Sequence, residues 1–232
     1  MIKQCILSVA PMRCEPSDKS EMTNQILFGE PFKCLENQEK WSLVELLHDG
    51  YRGWIDNKQM SDVQFNTDLL HVSGPLHTIS FQKKTIHLTP GSFLPATHNH
   101  SAFEWTLTDA AKLFIGAPYL WGGRSIFGID CSGLMQIIFR LKGKQIPRDA
   151  SQQVLIGEDV LLIDECKTGD LAFFDNTEGR IIHVGLIERS KEKLSIYHAS
   201  GEVRCDFLDH QGIYQPETGK YSHTLRVIKR IL

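Results

Sequence analysis

The sequence lacks both an excess of positive charge and any long hydrophobic run. Its 232 residues include 25 Lys and Arg against 28 Asp and Glu, a formal net charge of −3, so there is no basic field of the kind that binds nucleic acid. No stretch approaches the roughly 18 to 20 apolar residues that a membrane-spanning helix needs. We expect a globular protein that binds neither nucleic acid nor membrane, and we expect it to be a monomer.

Paired cysteines are missing as well. The six cysteines, at positions 5, 14, 34, 131, 166 and 205, lie far apart, and none belongs to a CxxC motif. Structural zinc sites usually take two close ligands from one loop, so the sequence predicts no metal site. A chain of this length can bury a core without disulfide bonds, and we expect five of the six cysteines to be ordinary core thiols.

The start of the chain lacks a complete signal peptide. Its first apolar run ends at Pro11, and no small-residue cleavage pattern follows. We therefore expect a cytoplasmic location. A leader removed before the first residue would instead make the protein periplasmic or secreted.

The first part of the chain has the pattern of β structure. Residues 1–60 show short alternating runs separated by turn signals, which predicts a small all-β module. The Asp49-Gly50 turn in LLHDGYRGWI predicts a tight hairpin. Residues 61–104 continue with strand-like pieces, LLHVSG, HTISFQ, KTIHLT and SFLPA. They predict either a β-rich connector or an incomplete second β module.

The period changes near residue 105, and we place a second domain at 105–232. Apolar residues recur at helical spacing in TLTDAAKLF, with Thr108-Asp109 as the expected cap. Further along, KTGDLAFFDN predicts the first strand of a central antiparallel sheet.

One cysteine stands at the start of a second helix pattern. After Cys131, apolar residues at helical spacing predict a helix that stops at Gly143. Unpaired backbone N–H groups and the positive end of the dipole favour a thiolate there, and they can stabilise an oxyanion. Cys131 is thus a candidate nucleophile. The alternative is a small structural residue, since most lone cysteines are structural.

Two histidines lie in strand patterns of the second domain. His183 in RIIHVGLIER and His198 in LSIYHAS each share a strand face with apolar neighbours. The polar ERSKEK turn between these runs predicts a hairpin that sets the two imidazoles side by side. His183 could then accept the thiol proton while His198 fixes its tautomer. Each histidine alone could equally be a satisfied, half-buried side chain.

The motifs YLWGG, DCSGL, GDLAFF, HVGL and YHAS occur here in an order that resembles the NlpC/P60 family of papain-like cysteine peptidases. The resemblance covers residues 105–232 closely, and residues 1–60 more loosely resemble a bacterial SH3 module. It implies an α+β papain-like catalytic domain, with helices packed on a central antiparallel sheet, preceded by an all-β SH3-like barrel. It also implies a hydrolase without a cofactor.

The resemblance implies roles for the residues of the catalytic motifs. Cys131 matches the nucleophile, His183 the base and His198 its orienting partner. Tyr119, in YLWGG, matches a tyrosine beside the nucleophile that can assist the oxyanion. Trp121, in the same motif, is expected to be a packing residue.

The resemblance also implies a pocket for the free amine of a terminal L-alanine. The residues beside the nucleophile, Asp130 and Ser132, are expected to bind it, because a buried ammonium needs a carboxylate and neutral acceptors. The alternative for Asp130 is a helix cap, and both roles can coexist. From the SH3-like module, Glu21 and Tyr51 are expected to contact the same amine, with Glu15 as a competitor of Glu21.

A third group of candidates lies in IPRDASQQ, after the cysteine helix. Arg148 is expected either to pair with the free α-carboxylate of a γ-linked D-glutamate or to form an ion pair within the protein. Asp149 and Ser151 could serve the same pocket.

The resemblance thus implies a cysteine endopeptidase of peptidoglycan turnover or recycling. It should hydrolyse the γ-D-glutamyl-diamino acid bond of peptidoglycan-derived stem peptides that carry a free N-terminal L-alanine. One alternative is an amidase or acyltransferase that uses the same nucleophile. Another is a non-catalytic wall-binding protein.

Overall fold

The fold is described from a computed structural model that covers residues 2–62, 69–71, 74, 76–95, 104–191 and 193–232. Contacts between Cα atoms divide the chain into two compact units. The first comprises Met1–Glu104 and Leu120–Gly128, and the second comprises Trp105–Tyr119 and Ile129–Leu232. The segment Leu120–Gly128 therefore groups with the first unit although the chain on both sides of it belongs to the second.

The first unit contains a six-stranded antiparallel sheet in the order β1-β4-β5-β6-β2-β3. Its strands are β1 (Ile2–Gln4), β2 (Val9–Arg13), β3 (Met22–Leu27), β4 (Pro31–Asn37), β5 (Trp41–Leu46) and β6 (Arg52–Asp56). Burial alternates along β5, as expected for a strand with one face in a core. The predicted hairpin at Asp49-Gly50 is confirmed, because it joins β5 to β6 and Gly50 has a φ of 72°.

Two further strand pairs follow the sheet in the first unit. They are formed by β7 (Leu69–His71) with β10 (Phe93–Pro95) and by β8 (His77–Phe81) with β9 (Lys84–Leu88). An apolar cluster joins them to the end of β3 through Phe28, Ile79, Ile86, Leu88 and Leu94. Of the predicted segment 61–104, residues 63–68, 72, 73, 75 and 96–103 lie outside the described residues.

The segment Leu120–Gly128 is held in the first unit by a buried arginine. It contains β11 (Arg124–Ser125), and β12 (Gly128–Ile129) begins at its last residue. The guanidinium of Arg124 donates to both carboxylate oxygens of Glu30, at 3.0 and 2.8 Å, and to the carbonyl oxygen of Gln25 at 2.8 Å. Both charged side chains are fully buried. Because the pair is bidentate, it fixes the direction as well as the position of this segment.

In its described residues the second unit contains three α-helices and seven strands, besides a single 3-10 turn at Ile163–Glu165. They are α1 (Leu107–Lys112), α2 (Cys131–Leu141), α3 (Ala150–Gln153), β13 (Glu158–Val160), β14 (Leu171–Asp175), β15 (Ile181–Arg189), β16 (Leu194–Ser200), β17 (Glu202–Leu208), β18 (Gly212–Gln215) and β19 (Lys220–Arg230). The predicted cap of α1 is wrong by two residues, because Thr106 accepts the Asp109 N–H. Among the described helices, none is long and apolar enough to cross a membrane.

The antiparallel sheet of the second unit closes on itself. Its order is β13-β19-β14-β15-β16-β17-β18, and β18 also pairs with β19, so β14–β19 form a closed ring of six strands. Closure depends on Gly212, which has a φ of 143° and whose added Cβ would meet the carbonyl oxygen of His223. The predicted central antiparallel sheet is present, and its closure was not predicted.

One face of this ring carries both the apolar core and the polar side chains of interest. A buried cluster draws residues from every strand of the ring: Ala172, Phe174, Ile187, Ile196, Leu208, Ile213 and Ile228. Side chains alternate along a strand, so His183, His198 and Asp206 lie on the same face as this cluster.

Helix α2 lies against β15 and β16.

We predict that removal of Arg124 strongly destabilises the first unit. Arg124→Met should lower the free energy of unfolding of this unit by about 3 to 5 kcal/mol, because the buried Glu30 carboxylate loses the guanidinium charge that opposes its own. Urea unfolding followed by tryptophan fluorescence measures this, since Trp41, Trp54 and Trp121 all lie in this unit.

A matched control is Arg52→Met. The Arg52 side chain is 66% exposed and pairs with Glu45 at the surface, so its loss should change the free energy of unfolding by no more than about 1 kcal/mol. Equal effects of the two variants would contradict the role assigned to Arg124.

Candidate active site

Cys131 is the first residue of helix α2, as predicted. Asp130 is the N-cap, and its Oδ1 accepts the backbone N–H of Gly133 at 2.7 Å. This hydrogen bond satisfies a donor that the helix itself leaves unpaired. The helix-cap alternative for Asp130 is therefore observed.

The thiol of Cys131 is buried, and only 7% of the residue is exposed. Burial and, second to it, the Asp130 carboxylate raise the pKa of the thiol to about 12, while hydrogen bonds from the backbone of Val184 and Ser132 and the charge of Arg148 oppose the rise. The helix N-terminus therefore does not suffice to hold a thiolate in this structure. The group is a neutral thiol that needs a base.

That base can come from the strand beside the thiol. His183 immediately precedes Val184 on β15, and β15 pairs with β16 as predicted. Nε2 of His183 lies 2.9 Å from Nδ1 of His198, and both rings are buried. Burial, together with His223 and His198, lowers the pKa of His183 well below 6.5. His183 is thus a neutral imidazole that can accept a proton.

A carboxylate follows the two histidines, and the sequence interpretation missed it. Nε2 of His198 lies 3.0 Å from Oδ2 of Asp206 on β17. Burial opposes ionisation of Asp206, but hydrogen bonds from His198 and Arg204 lower its pKa to about 2. The available signal was strand alternation, since Asp206 stands two residues before the core residue Leu208.

A third histidine, also missed, covers the ring of His183. His223 on β19 stacks on His183 with a centroid distance of 4.1 Å and an interplanar angle of 19°. Burial and the nearby His198 lower the pKa of His223 to about 4, although Asp206 acts in the opposite direction. A ring stacked in this position restricts the rotation of His183.

Tyr119 lies near the nucleophile in the second unit. Its backbone N–H donates to the carbonyl of Gly201, and it forms a bridge with Ile129. Burial and the nearby Cys131 and Asp130 raise the pKa of the phenol to about 12. Tyr119 therefore keeps its proton at neutral pH and can donate a hydrogen bond.

Arg148 forms an ion pair within the protein, which was one of the two roles expected for it. Its guanidinium donates to the Asp130 carboxylate at 3.0 and 2.6 Å and to the Ser132 hydroxyl at 2.9 Å. The Arg148 and Asp130 side chains are nearly fully buried. Arg148 therefore holds both residues that flank the nucleophile.

The other candidates after the cysteine helix stand at α3. Asp149 is half-buried at the N-cap position of α3, and its side chain makes no capping hydrogen bond to that helix. Ser151 is exposed on the helix.

The candidates from the SH3-like module lie in the first unit. The exposed carboxylate of Glu21 accepts the indole N–H of Trp121. The hydroxyl of Tyr51 lies 3.5 Å from the carbonyl of Thr23, two residues from Glu21. Glu15 is exposed and its side chain makes no described hydrogen bond. Trp121, expected to be a packing residue, is 59% exposed, so that expectation is wrong.

The remaining cysteines differ from the expectation of five core thiols. Cys5 and Cys166 are buried, Cys34 is half-buried, and Cys14 and Cys205 are exposed. All six are free. In the described part of the chain, no three His, Cys, Asp or Glu side chains are grouped in a way that could hold a metal ion.

The sequence of this chain matches known protein families and individual relatives. The sequence profile of the NlpC/P60 family matches residues 116–221, and that of the bacterial dipeptidyl-peptidase Sh3 domain matches residues 12–60. A gamma-D-glutamyl-L-lysine dipeptidyl-peptidase from Bacillus subtilis (strain 168) is 42% identical over 247 residues, which covers 89% of this chain and 76% of that protein. The chain belongs to the NlpC/P60 family.

Other NlpC/P60 relatives extend over both units. Dipeptidyl-peptidase 6 of Lysinibacillus sphaericus is 27% identical and covers 89% of this chain and 91% of that protein. The crystal structure of an NlpC/P60 family protein from Bacillus cereus ATCC 10987 matches with a TM-score of 0.82 at 19% identity and covers 100% of both chains. The predicted family and SH3 domain are confirmed, and membership makes the protein a cysteine peptidase.

The neutral state of the thiol has a measurable consequence. We predict that the alkylation rate of Cys131 by iodoacetamide rises about tenfold per pH unit from pH 7 to pH 9, because the thiolate fraction grows with pH far below the pKa. Mass spectrometry of the peptide that contains Cys131 follows the reaction, and the exposed Cys14 provides an internal comparison. A rate that levels off below pH 7 would instead indicate a preformed thiolate–imidazolium pair.

Proposed function

We propose that this protein hydrolyses the γ-D-glutamyl-diamino acid bond of peptidoglycan stem peptides, with Cys131 as nucleophile and His183 as base. The observation that carries the proposal is local to β15. The Val184 N–H donates to the Cys131 sulfur, and the preceding residue, His183, is hydrogen-bonded to His198. This adjacency along β15 supports the assignment of a thiol nucleophile, an imidazole base and an orienting group, which are the three parts that nucleophilic catalysis requires.

The printed names of the relatives support the choice of substrate. Relatives from Bacillus subtilis and Bacillus cereus are both named gamma-D-glutamyl-L-lysine dipeptidyl-peptidase. We infer that peptidoglycan-derived peptides are the substrates here and that the diamino acid is L-lysine or a close analogue.

The first chemical step forms a thioester. Nδ1 of His183 accepts the proton of the Cys131 thiol as the sulfur attacks the carbonyl carbon of the γ-glutamyl amide. The negative charge that develops on the carbonyl oxygen is stabilised by backbone N–H groups at the start of α2 and by the neutral Tyr119 hydroxyl. The amide C–N bond then breaks, and the leaving amine takes the proton from His183.

The second step releases the dipeptide. Water attacks the thioester and gives a proton to His183, and the Cys131 sulfur leaves and recovers that proton. The products are a free γ-carboxylate and the resting enzyme. The neutral state of His183 suits this step, because an imidazole that is already protonated cannot act as a base.

The residues beside the nucleophile are the proposed amine-binding group. The Asp130 carboxylate and the Ser132 hydroxyl are held by Arg148. We favour this holding role for Arg148 over direct pairing with the substrate's α-carboxylate, because its guanidinium already has partners. Asp149 and Ser151 are further proposed residues of this pocket.

Glu21 and Tyr51 are the proposed contributors to amine recognition from the SH3-like module. Support comes from the first unit alone, where Glu21 contacts Trp121 of the YLWGG motif and Tyr51 contacts the adjacent strand. A carboxylate and a phenol hydroxyl are suitable partners for an ammonium group. Such recognition would restrict the enzyme to peptides with a free N-terminus.

The finer architecture is proposed on the same basis. We propose an SH3-like module at 1–60, a β-rich connector at 61–104 and a catalytic domain at 105–232 in which the helices pack on the antiparallel sheet in a papain-like way. Contacts of α2 with β15 and β16 support this layout. We also propose that the protein is a monomer without affinity for nucleic acid or membrane. We propose a cytoplasmic location, since peptides with a free amine are products of wall breakdown.

Product analysis tests the proposed function. We predict that the protein releases L-Ala-γ-D-Glu from L-Ala-γ-D-Glu-L-Lys or its meso-diaminopimelate analogue, and that mass spectrometry finds no release from the N-acetylated peptides. Cys131→Ala should abolish release because it removes the nucleophile, whereas Cys14→Ala should retain it because that thiol is exposed in the other unit.

Three outcomes would contradict parts of this account. Cleavage of the N-acetylated peptides at equal rates would contradict amine recognition. Transfer of an acyl group without peptide cleavage would favour the amidase or acyltransferase alternative. Binding of the peptides without any turnover would favour a non-catalytic role.

A further inference from the structure

We propose that Asp206 is a positioning residue that sets the tautomers of both buried histidines and thereby leaves Nδ1 of His183 as the proton acceptor. The inference rests on the proposed function of Cys131 and His183 and deepens it. It starts from an uninterrupted line of contacts, in which Nε2 of His183 meets Nδ1 of His198 at 2.9 Å and Nε2 of His198 meets Asp206 at 3.0 Å.

The carboxylate end of this line fixes its direction. An ionised carboxylate can only accept hydrogen bonds. Asp206 is ionised because Arg204 donates to both of its oxygens, at 2.7 and 2.8 Å. Nε2 of His198 must therefore carry a hydrogen, since a bare ring nitrogen would place two acceptors 3.0 Å apart in a buried site.

The position of the hydrogen on His198 determines which nitrogen of His183 carries hydrogen. His198 is fully buried, and an imidazole that carries a single hydrogen, on Nε2, has a bare Nδ1. The 2.9 Å contact with His183 is a hydrogen bond only if Nε2 of His183 carries the hydrogen. His183 consequently presents a bare Nδ1, the form that a general base for the thiol requires.

The opposite direction would disable the base. If His198 carried its hydrogen on Nδ1, it would donate to Nε2 of His183, and the hydrogen of His183 would move to Nδ1. That nitrogen could then no longer accept the thiol proton. Asp206 makes this arrangement unfavourable because it would face the bare Nε2 of His198.

Arg204 holds Asp206 from the side away from the histidines. Its guanidinium also donates to Glu217 at 2.9 Å. The Glu217 side chain is 68% exposed, whereas that of Asp206 is 2% exposed. The two carboxylates therefore share one arginine, but only Asp206 contacts a histidine among the hydrogen bonds of this cluster.

Two variants of Asp206 separate its acceptor role from its charge. Asp206→Leu removes both. Asp206→Asn keeps one acceptor oxygen. Arg204 should hold this oxygen in the place of Oδ2 of Asp206, which contacts both Nε of Arg204 and Nε2 of His198. Glu217→Gln is the matched control, because it removes a carboxylate from the same arginine without touching the histidines.

The first readout does not depend on any substrate. Long-range ¹H–¹⁵N spectra of histidine-labelled protein report which ring nitrogen carries hydrogen, with signals assigned through His183→Gln and His198→Gln. We expect both rings to carry it on Nε2 in the wild type, Asp206→Asn and Glu217→Gln. In Asp206→Leu the two rings should show a mixture of tautomers.

The second readout is steady-state hydrolysis of L-Ala-γ-D-Glu-L-Lys. Asp206→Leu should lower kcat by at least about 10-fold and by up to about 10⁴-fold, the loss seen when a catalytic histidine takes the wrong tautomer, with KM changed less than threefold. Asp206→Asn should lie between this value and the wild type, and Glu217→Gln should stay within twofold of the wild type.

The outcomes separate this inference from the proposed function. Wild-type tautomers in Asp206→Leu, or an unchanged kcat, would overturn it. If Asp206→Leu fails to fold, wild-type kcat in Asp206→Asn together with mixed tautomers would overturn it as well. If the wild type cleaves no peptide but the tautomers respond as expected, the proposed substrate is wrong while the positioning role stands.

Discussion

The burial of the thiol and imidazole is the constraint on which the rest of this site depends. Burial makes both groups neutral, because a charge on either loses its hydration. A neutral pair can react only if the imidazole presents its bare nitrogen to the thiol. The ring of strands meets this need by continuing the line of hydrogen bonds from His183 through His198 to the ionised Asp206.

Two buried arginines form ion pairs that involve residues near the nucleophile in the sequence. Arg124 is paired with Glu30 inside the first unit, and Arg148 is paired with Asp130 inside the second. Both pairs are bidentate, and each fixes backbone within a few residues of Cys131 in the sequence. Since a buried ion pair adds little net stability compared with an apolar core, we interpret both pairs as devices that position the chain.

Local patterns were sufficient to predict the parts of the site that lie on single elements. The helix that starts at Cys131 follows from its apolar spacing, and its start follows from the cap at Asp130. The His183 and His198 strands follow from alternation and from the polar turn between them. Even here the cap of α1 was misplaced, because Thr106 and Thr108 are chemically alike and only the backbone geometry separates them.

The parts that sequence reasoning missed depend on pairings between distant segments. Asp206 and His223 lie beside the histidine pair because β17 and β19 belong to the closed ring. No local sequence pattern predicts that the sheet closes. Arg124 meets Glu30 across 94 residues of sequence. Trp121 was expected to pack, but its indole N–H meets the Glu21 carboxylate at the surface, a contact across 100 residues.

The measurement that tests the central claim most directly is the detection of the covalent intermediate. The protein would be mixed with L-Ala-γ-D-Glu-L-Lys, quenched in acid during turnover, digested and analysed by mass spectrometry. The account predicts an L-Ala-γ-D-Glu acyl group in thioester linkage on the peptide that contains Cys131, released by hydroxylamine. Rapid turnover with no acyl group on Cys131, or with the acyl group on another residue, would contradict it.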